Sequence, residues 1–385
     1  MPKSDIHDYR LQLRLLYYHP GVGALHGYAG SQRTLEFAKS LARNGVKVYL
    51  ASPYLKSYST NENVDLLPLP KDPFGILHQL KNYVVQNKIN VILERLEGGN
   101  IMSSGYGVVV GKIMKIPVAC EVHVPPYDLR TRLTSFAWLR YSLKNSDKIF
   151  VISHNVSELL YLHYKYCKNK IVVIPNGYDA SKLTHLDNLV KKVKQNLPRD
   201  RKIICYFGEL NEDKGVDLIL QLINNDEKKH FYFIIGGWGP LEQVIRKIAE
   251  EKPEKVRYVG KISKEEVYAY LKVCDLSLAF YRRTQLGTLF FGQPLKVYES
   301  LALGTNVLIT TRANLPEDVF NLCTFVEPKL EDIFEKIEGA CLKKYDSAWQ
   351  EQVKKTMDKY SWDDIAKKIF IPKLSLMTQR CARKK

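Results

Sequence analysis

The chain has 385 residues, enough for two domains that each bury a hydrophobic core. Hydrophobic residues make up 45% of it and charged residues 26%, as in globular proteins, and no apolar run is long enough to span a membrane. The start of the chain lacks the apolar core of a signal peptide, and the seven scattered cysteines include no CxxC pair. We therefore expect a cytoplasmic protein with reduced thiols, without a disulfide framework or a zinc site.

The formal net charge is +17 at pH 7. Nucleic acid, an anionic membrane surface and an anionic substrate are the partners that such a charge favours. No nucleic-acid-binding motif occurs and the charge is spread along the chain, so nucleic acid is the least favoured of these partners. A generally basic, solvated surface accounts for part of the charge.

The first half of the chain alternates predicted strands and helices. Strands are predicted over 11–18, 46–52, 90–93, 117–122, 148–152 and 171–174, and helices over 31–43, 105–114 and 129–144, with a further helix after Ser153 as its N-cap. Strands that alternate with helices in this way predict a parallel sheet.

The first predicted loop contains glycines at positions 21, 23, 27 and 30. Their spacing departs from the dinucleotide-binding fingerprint, and Ser52-Pro53 stands where an acidic residue would hold a ribose. We interpret Gly27 and Gly30 as positions where backbone approaches a donor or acceptor; the alternative is a tight turn.

Polar side chains follow two of the predicted strands. Glu94 and Arg95 end one strand, and Glu121 and His123 end another. In an open α/β sheet, ligands bind outside the carboxyl ends of the strands, so these residues are candidates for the sugar or acceptor side of a site. A structural role is the alternative for a single histidine.

The second half begins with a turn at 175–179 and a polar, lysine-rich segment to about residue 201, which we interpret as a linker. Strands follow at 202–207, 231–236, 256–260 and 275–280, with helices at 216–223, 241–251 and 264–272. Residues beyond 331 are helical and end in a helix that contains Trp362 and in a basic tail. The predicted domains are 1–180 together with 362–385, and 181–361.

Residues 292–310 (GQPLKVYESLALGTNVLIT) predict a helix that starts after Pro294, ends at Gly304 and leads into a buried strand. The N–H groups of Leu295, Lys296 and Val297 have no predicted helical partner, so with the charge of Lys296 they form an anion site. Glu299 offers two acceptor oxygens for sugar hydroxyls. The alternative is an ordinary helix with a Lys296–Glu299 ion pair.

These segments resemble, in the same order along the chain, the retaining glycosyltransferases of family 4, which have the GT-B fold. IPNGYD resembles the interdomain turn of that family, and FGELNEDKG resembles its G-x-L-x-x-x-KG loop. IIGGWGPLEQVI resembles its G-x-GP segment, and PLKVYESLALGTNVLIT its donor-binding helix. ER and EVHVP, at 94–95 and 121–125, are similar to a subgroup with YER and EVN-P, and YSWDDIA to the last helix.

The resemblance implies an α/β fold of two Rossmann-like, doubly wound parallel-sheet domains that face each other across a cleft, with the C-terminal helix returning to the first domain. It implies that Lys214 contacts the donor diphosphate, that Gly237 and Gly239 belong to the donor site, and that Glu299 binds the nucleotide ribose. Three departures stand out: Glu209 replaces an Arg or Ser, Phe291 replaces the first glutamate of the EX7E form, and the first loop lacks an adjacent glycine pair.

The expected reaction is the transfer of a hexose from a UDP- or GDP-linked sugar to a hydroxyl acceptor, with retention of the anomeric configuration. We expect catalytic roles for His123, Glu121 and Lys214, and donor contacts from Leu295 and Lys296. No Asp-x-Asp occurs in the chain, so we expect neither a metal nor another cofactor. The alternatives are a nucleotide-sugar epimerase of the same fold and a catalytically silent, transferase-like binding subunit; a nicotinamide dehydrogenase is the least favoured.

The predicted helix at 129–144 bears on where the acceptor lies. Its apolar residues 129, 133, 136, 139 and 143 fall on one stripe, and the basic residues 130, 132, 140 and 144 lie away from it. This pattern is typical of a core-facing helix with a solvated basic side. It is equally compatible with a helix that leans on an anionic membrane, as a peripheral enzyme with a lipid-linked acceptor would need.

Overall fold

The computed structural model describes residues 12–21, 29–55, 64–96, 104–123, 132–226, 230–282, 292–312 and 314–383. The chain divides into two compact units. The first comprises Met1–Ile174 and Trp362–Lys385, and the second Pro175–Ser361. The sequence analysis puts the first boundary after residue 180 and the second after residue 361. Among the described residues, no helix is both long and apolar enough to cross a bilayer.

The first unit is built on a sheet of seven strands. They are β1 Arg14–Tyr18, β2 Lys47–Ser52, β3 Val64–Pro68, β4 Val91–Leu96, β5 Val118–Val122, β6 Lys148–Val151 and β7 Ile171–Val173. All pairs are parallel, in the order β3-β2-β1-β4-β5-β6-β7. Because the strand order reverses between β1 and β4, ligands are expected at the carboxyl ends of these strands.

Helices connect the strands of this first sheet. They are α1 Ala29–Arg43, α2 Pro73–Gln86, α3 Tyr106–Met114, α4 Arg132–Asn145 and α5 His154–His163. Ser153 caps α5 as predicted, because its side chain accepts a hydrogen bond from the Val156 N–H. Strands β4 and β5 are buried along their whole length, as central strands covered on both faces are.

The C-terminal segment packs on the first unit. It consists of α14 Trp362–Ile365, a π-helical turn Ala366–Phe370 and α15 Ile371–Ala382. The Trp362 ring is fully buried, with its centroid 5.4 Å from that of Phe37 on α1. Asp363 accepts hydrogen bonds from Ser40 at 2.8 Å and Asn44 at 2.9 Å. The predicted return of the C-terminal helix to the first domain is therefore confirmed.

The second unit contains a sheet of six parallel strands in the order β10-β9-β8-β11-β12-β13. They are β8 Lys202–Glu209, β9 Phe231–Trp238, β10 Val256–Gly260, β11 Leu276–Ala279, β12 Asn306–Ile309 and β13 Thr324–Phe325. The order reverses between β8 and β11. The carboxyl ends of these two strands are therefore the expected ligand side of this sheet.

Eight helices of the described residues belong to the second unit. They are α6 Asp187–Gln195, α7 Val216–Asn225, α8 Glu242–Glu251, α9 Lys264–Val273, α10 Leu295–Ala302, α11 Glu317–Phe320, α12 Leu330–Leu342 and α13 Ser347–Met357. Ser263 and Glu266 form a capping box at the start of α9, which fixes where that helix begins. Gly304 ends α10 with a φ of 73°, as predicted.

Part of the segment that the sequence analysis interprets as a linker is helical. Helix α6 lies inside it, and Leu186 and Val190 pack beside Tyr268 and Leu271 of α9. The interpretation as a linker is therefore wrong for this helix. The polar composition of α6 hides a narrow apolar face, which is enough to attach a short helix to a larger core.

Candidate functional site

Lys296, in the second unit, interacts electrostatically with Lys214, Lys264 and Glu299. Lys214 ends a short helical turn, Glu212–Lys214, after β8; Lys264 is the first residue of α9; and Lys296 lies in the first turn of α10. Lys264 Nζ is 2.5 Å from Glu299 Oε1. Glu299 therefore pairs with a lysine from another helix, and the local Lys296–Glu299 pair considered from the sequence is not formed.

Lys296 lies in crowded surroundings. Its Nζ is 4.0 Å from the centroid of the Tyr206 ring, and a Cβ atom added to Gly208 would lie 2.7 Å from the same Nζ. Withdrawal from water and then the positive charge of Lys214 lower the pKa of Lys296 to about 7, although Glu299 acts in the opposite direction. A lysine with such a pKa is only partly charged at neutral pH. An anion that binds beside it would therefore cause the lysine to take up a proton.

The two glycines of the G-x-GP segment serve close backbone packing. Gly237 has a φ of 135°, and a Cβ atom there would lie 1.8 Å from the Gly208 carbonyl oxygen. Gly239 has a φ of 154°, and its added Cβ would lie 2.6 Å from the Leu210 carbonyl oxygen. Any other residue would push the end of β9 and the loop after it away from the end of β8 and the loop after that strand.

The start of α10 offers fewer free N–H groups than the sequence predicts. Pro294 is the N-cap residue, and the Val297 N–H donates to the Pro294 carbonyl at 3.1 Å. The expectation that the Val297 N–H is unpaired is therefore wrong, because the first turn tightens. Leu295 is buried, so its contribution to ligand binding would come from its backbone.

Gln293 holds this helix start in position, and the sequence analysis misses it. Its side-chain Oε1 accepts hydrogen bonds from the Asn176 N–H at 2.8 Å and the Tyr298 hydroxyl at 2.9 Å. Its Nε2 donates to the Asn314 carbonyl at 2.9 Å. Asn176 belongs to the PNG turn, so that turn is tied directly to the helix carrying Lys296.

In the first unit, Glu121 is the centre of a buried polar cluster. It accepts a hydrogen bond from the Tyr17 hydroxyl at 2.5 Å, pairs with Arg33, and lies 3.0 Å from His123 Nε2. Burial opposes its ionisation, but Arg33 and His123 together hold the pKa of the Glu121 carboxyl well below its ordinary value. Glu121 is therefore ionised at neutral pH, and its contacts hold these neighbours in position.

His123 is neutral in this cluster. Burial and the charges of Arg95 and Arg33 lower its pKa to about 3. Because the ionised Glu121 carboxylate can only accept, Nε2 of the neutral ring carries the proton and donates to it. Nδ1 of His123 is then a hydrogen-bond acceptor with a fixed orientation.

The side chains of Glu94 and Arg95 lie in different environments, because successive residues of a strand point to opposite faces of the sheet. The Glu94 carboxylate accepts hydrogen bonds from the Gly105 N–H and, at 3.0 Å, from the Val108 N–H at the start of α3. Burial raises the pKa of Glu94 to about 8, against the effect of these donors. Arg95 donates to Thr34 at 2.9 Å and acts electrostatically on His123.

The structure thus brings Glu121, His123 and Arg95 together, while Glu94 serves as a helix cap. Gly30 lies in the first turn of α1. Gly27 and Phe291 lie outside the described residues.

Three residues of the first unit were not predicted from the sequence. Tyr17 and Arg33 contact Glu121, and buried His19, directly after β1, has its pKa lowered to about 3 by burial and then by Arg95. The signal for Tyr17 and His19 was their position at the carboxyl end of β1 beside the switch point.

Family models match both units. Residues 30–182 match the model of Glycosyltransferase Family 4, and residues 187–355 match the model of Glycosyl transferases group 1. Two parallel α/β units that carry these matches define a glycosyltransferase of the GT-B fold. The chain belongs to glycosyltransferase family 4.

Curated relatives of the chain include further glycosyltransferases. An uncharacterized glycosyltransferase, MJ1059 of Methanocaldococcus jannaschii, is 24% identical over 60% of this chain and 53% of its own length. The phosphatidylinositol N-acetylglucosaminyltransferase GPI3 subunit of Saccharomyces cerevisiae is 24% identical over 91% of this chain and 80% of its own length. The matches to the first relatives span about half of their length.

Solved structures share the fold. A glycosyltransferase from Rickettsia africae superposes with a TM-score of 0.70 at 17% identity, covering 97% of this chain and all 100% of its own. HepE of Anabaena, solved in complex with UDP, gives a TM-score of 0.69 at 12% identity, with 94% and 100% covered. A UDP-GlcNAc 2-epimerase from Neisseria meningitidis, bound to UDP-GlcNAc, gives 0.60 at 14% identity, with 94% and 100% covered.

Proposed function

We propose that the protein transfers a hexose from a UDP-linked sugar to a hydroxyl acceptor with retention of the anomeric configuration. The observation that carries this proposal is that Lys214, Lys264 and Glu299 all act on the charge of Lys296, with Lys264 paired to Glu299, at the carboxyl-end side of the second sheet. Cations suit a diphosphate, and a carboxylate suits ribose hydroxyls. The UDP in the HepE structure supports uracil as the base.

The chemistry follows from charge. Cleavage of the glycosyl–phosphate bond leaves negative charge on the departing diphosphate while the sugar becomes positively charged. Lys214, Lys296 and the N–H groups of Leu295 and Lys296 at the start of α10 would stabilise that developing charge. We therefore propose that no divalent metal is needed, since the lysines supply the positive charge.

In the first unit, the cluster around Glu121 suits the sugar or acceptor side. His123 presents a neutral ring with Nδ1 as an acceptor, which can receive a hydrogen bond from a sugar or acceptor hydroxyl. Glu121, Tyr17 and Arg33 act as positioning residues, because they fix the tautomer and the orientation of that ring. Arg95 adds a positive charge beside it.

The acceptor is proposed to be a glycan or a lipid-linked sugar. On α4, Leu139 and Leu143 are buried, while Arg140 and Lys144 are exposed, so this part of the helix combines a core-facing stripe with a basic outer side. That outer side supports peripheral association with an anionic membrane surface. Residues 129 and 130 lie outside the described part, as do the side chains of 132, 133 and 136.

One experiment distinguishes a transferase from the two alternative functions, an epimerase and a silent binding subunit. The purified protein is incubated with UDP-glucose, UDP-GlcNAc and GDP-mannose, and the products are resolved by anion exchange. A transferase releases the nucleoside diphosphate slowly without an acceptor. An epimerase, the class to which the Neisseria enzyme with a similar fold belongs, instead forms a new nucleotide sugar. A silent binding subunit does neither.

Two additions make that experiment specific to the site. Lys214→Ala and Lys296→Ala should each slow UDP release roughly 10-fold or more, as expected for loss of a charge-assisted contact. The reaction should continue in EDTA. Loss of activity that magnesium or manganese restores would contradict the lysine-based mechanism, and release of GDP alone would exclude UDP.

A further inference from the structure

A cavity of about 540 Å³ lies in the first unit, at the edge where its strands begin. Its walls are the end of α3, the segments that enter β5 and β6, and one side of α15. Glu121 and His123 are at the opposite, carboxyl end of β5. None of the residues proposed to act in the reaction lines the cavity.

Positive charge dominates the lining. Five basic residues and a single acidic one line the cavity: Lys112, Lys115, Lys148, Lys373, Arg380 and Asp147. Asp147 already accepts a hydrogen bond from the Val118 N–H at 2.9 Å. Within the described ranges, no carboxylate forms an ion pair with any of the five basic side chains.

These cations repel one another. Partial burial, and then the charges of Lys373 and Arg380, lower the pKa of Lys148. Lys112, Lys115 and Arg380 are exposed, while Lys148 and Lys373 are half-buried. Five like charges gathered beside a single carboxylate reduce stability, so an anion bound here would be favoured both by attraction and by relief of this repulsion.

We propose that this cavity is a second anion site, which binds a small soluble ligand with two or more linked phosphates. Its volume falls within the range of about 300–1,000 Å³ that is usual for small-molecule sites. Basic residues on three walls match several phosphates better than one. If this edge of the sheet lay on a membrane, His123 would be separated from the bilayer by the length of β5, roughly 17 Å at ~3.3 Å per residue. This separation disfavours a lipid headgroup as the ligand.

The test uses inorganic tripolyphosphate as the probe, measured by calorimetry and thermal shift on the whole protein. The variant is Lys373→Gln/Arg380→Gln, which removes two cations from α15. The charge-matched control is Lys354→Gln/Lys355→Gln, on exposed positions of α13. Lys214→Gln/Lys296→Gln identifies binding at the proposed donor site.

Tripolyphosphate should raise the melting temperature of the wild type, the α13 control and the Lys214→Gln/Lys296→Gln variant. The affinity of Lys373→Gln/Arg380→Gln for tripolyphosphate should be roughly 10-fold or more lower than that of the wild type, as expected for the loss of charge-assisted contacts. Without ligand, this variant should melt no lower than the wild type, because repulsion is relieved.

Binding that is lost only with Lys214 and Lys296 would overturn the proposal. The proposal would also be overturned if the protein bound phosphatidylserine vesicles but not tripolyphosphate, and if this vesicle binding required Lys373 and Arg380. That result would assign the cavity to a lipid headgroup instead. These outcomes are independent of the transferase assay, so the second site and the proposed function can fail separately.

Discussion

Lys264 Nζ lies 2.5 Å from Glu299 Oε1, so the carboxylate proposed to hold the ribose is already paired with a lysine from the neighbouring helix. Both side chains are mostly shielded from water, at 18% and 4% exposure. A buried carboxylate is costly unless a cation compensates it. Lys264 therefore compensates the charge of the Glu299 carboxylate, whose Oε2 we propose as the acceptor for a ribose hydroxyl.

The first prediction concerns Lys264. Lys264→Ala should lower the free energy of unfolding by about 1–3 kcal/mol, because it leaves a buried charge without its partner. Its affinity for UDP should fall as well, because the substitution removes a positive charge and the ion pair that holds the Glu299 side chain in position. Urea unfolding and calorimetry measure the two effects. Lys261→Ala, on an exposed residue of the preceding loop, is the control, and equal stability of both variants would contradict the pairing.

The second prediction concerns the ribose. Glu299→Gln keeps the shape of the side chain but turns one acceptor oxygen into a donor, so one hydroxyl contact is lost. The variant should bind UDP roughly 10-fold more weakly, as for a hydrogen bond to a charged group. It should bind 2′-deoxy-UDP almost as well as the wild type does. If calorimetry gives the same loss for both nucleotides, Glu299 does not contact the 2′-hydroxyl.

The third prediction is a pH dependence. The pKa of Lys296 is about 7, so the side chain is mostly neutral above that pH and must take up a proton beside a diphosphate. UDP affinity should therefore fall as the pH rises from about 7 to 9, by at most about 10-fold per pH unit.

Calorimetry in buffers with different ionisation enthalpies should detect this proton uptake directly. Lys296→Arg stays charged, so its affinity should remain nearly constant over the same range, and it controls for titration of the ligand. Equal pH profiles of the wild type and this variant would rule out titration of Lys296.

The sequence predicts the central strands of both sheets and helix α10, because each is a short periodic or apolar run between turn residues. It leaves 53–89 unassigned, where β3 and α2 lie. Strand β3 is half-exposed and ends in Pro68, so its alternation is weak. The signal for α2 was present in the spacing of Ile76, Leu80 and Val84, which the helix buries.

The site was predictable only in part. Lys214, Lys296 and Glu299 follow from local motifs and positions at strand ends. The pairing of Lys264 with Glu299 joins residues far apart in the chain and depends on the packing of α9 against α10. Gln293 and Arg33 likewise contact residues that are distant in the sequence and that only the tertiary structure brings close to them. Spacing along one element cannot reveal such contacts.

Arg33 links the polar cluster of the first unit to its aromatic core. Its guanidinium pairs with Glu121, and its Cζ lies 5.2 Å from the centroid of the Trp362 ring. The side chain is buried, and so is Glu121. Arg33 is also one of the charges that lower the pKa of His123, after burial and Arg95. Its removal should therefore affect both stability and the titration of the histidine.

The last prediction is that Arg33→Met lowers the free energy of unfolding by about 3–5 kcal/mol, because it leaves Glu121 buried with less compensating charge. In the folded variant, the pKa of His123 should rise, since a nearby positive charge is gone and the carboxylate remains; NMR titration of the histidine C–H signals measures it. Arg43→Met, on the same helix, removes a partly exposed pair with Asp363 and should cost at most about 1 kcal/mol. If the two variants are equally stable and the His123 signal does not move, Glu121 does not depend on Arg33, and the positioning role proposed for Arg33 is wrong.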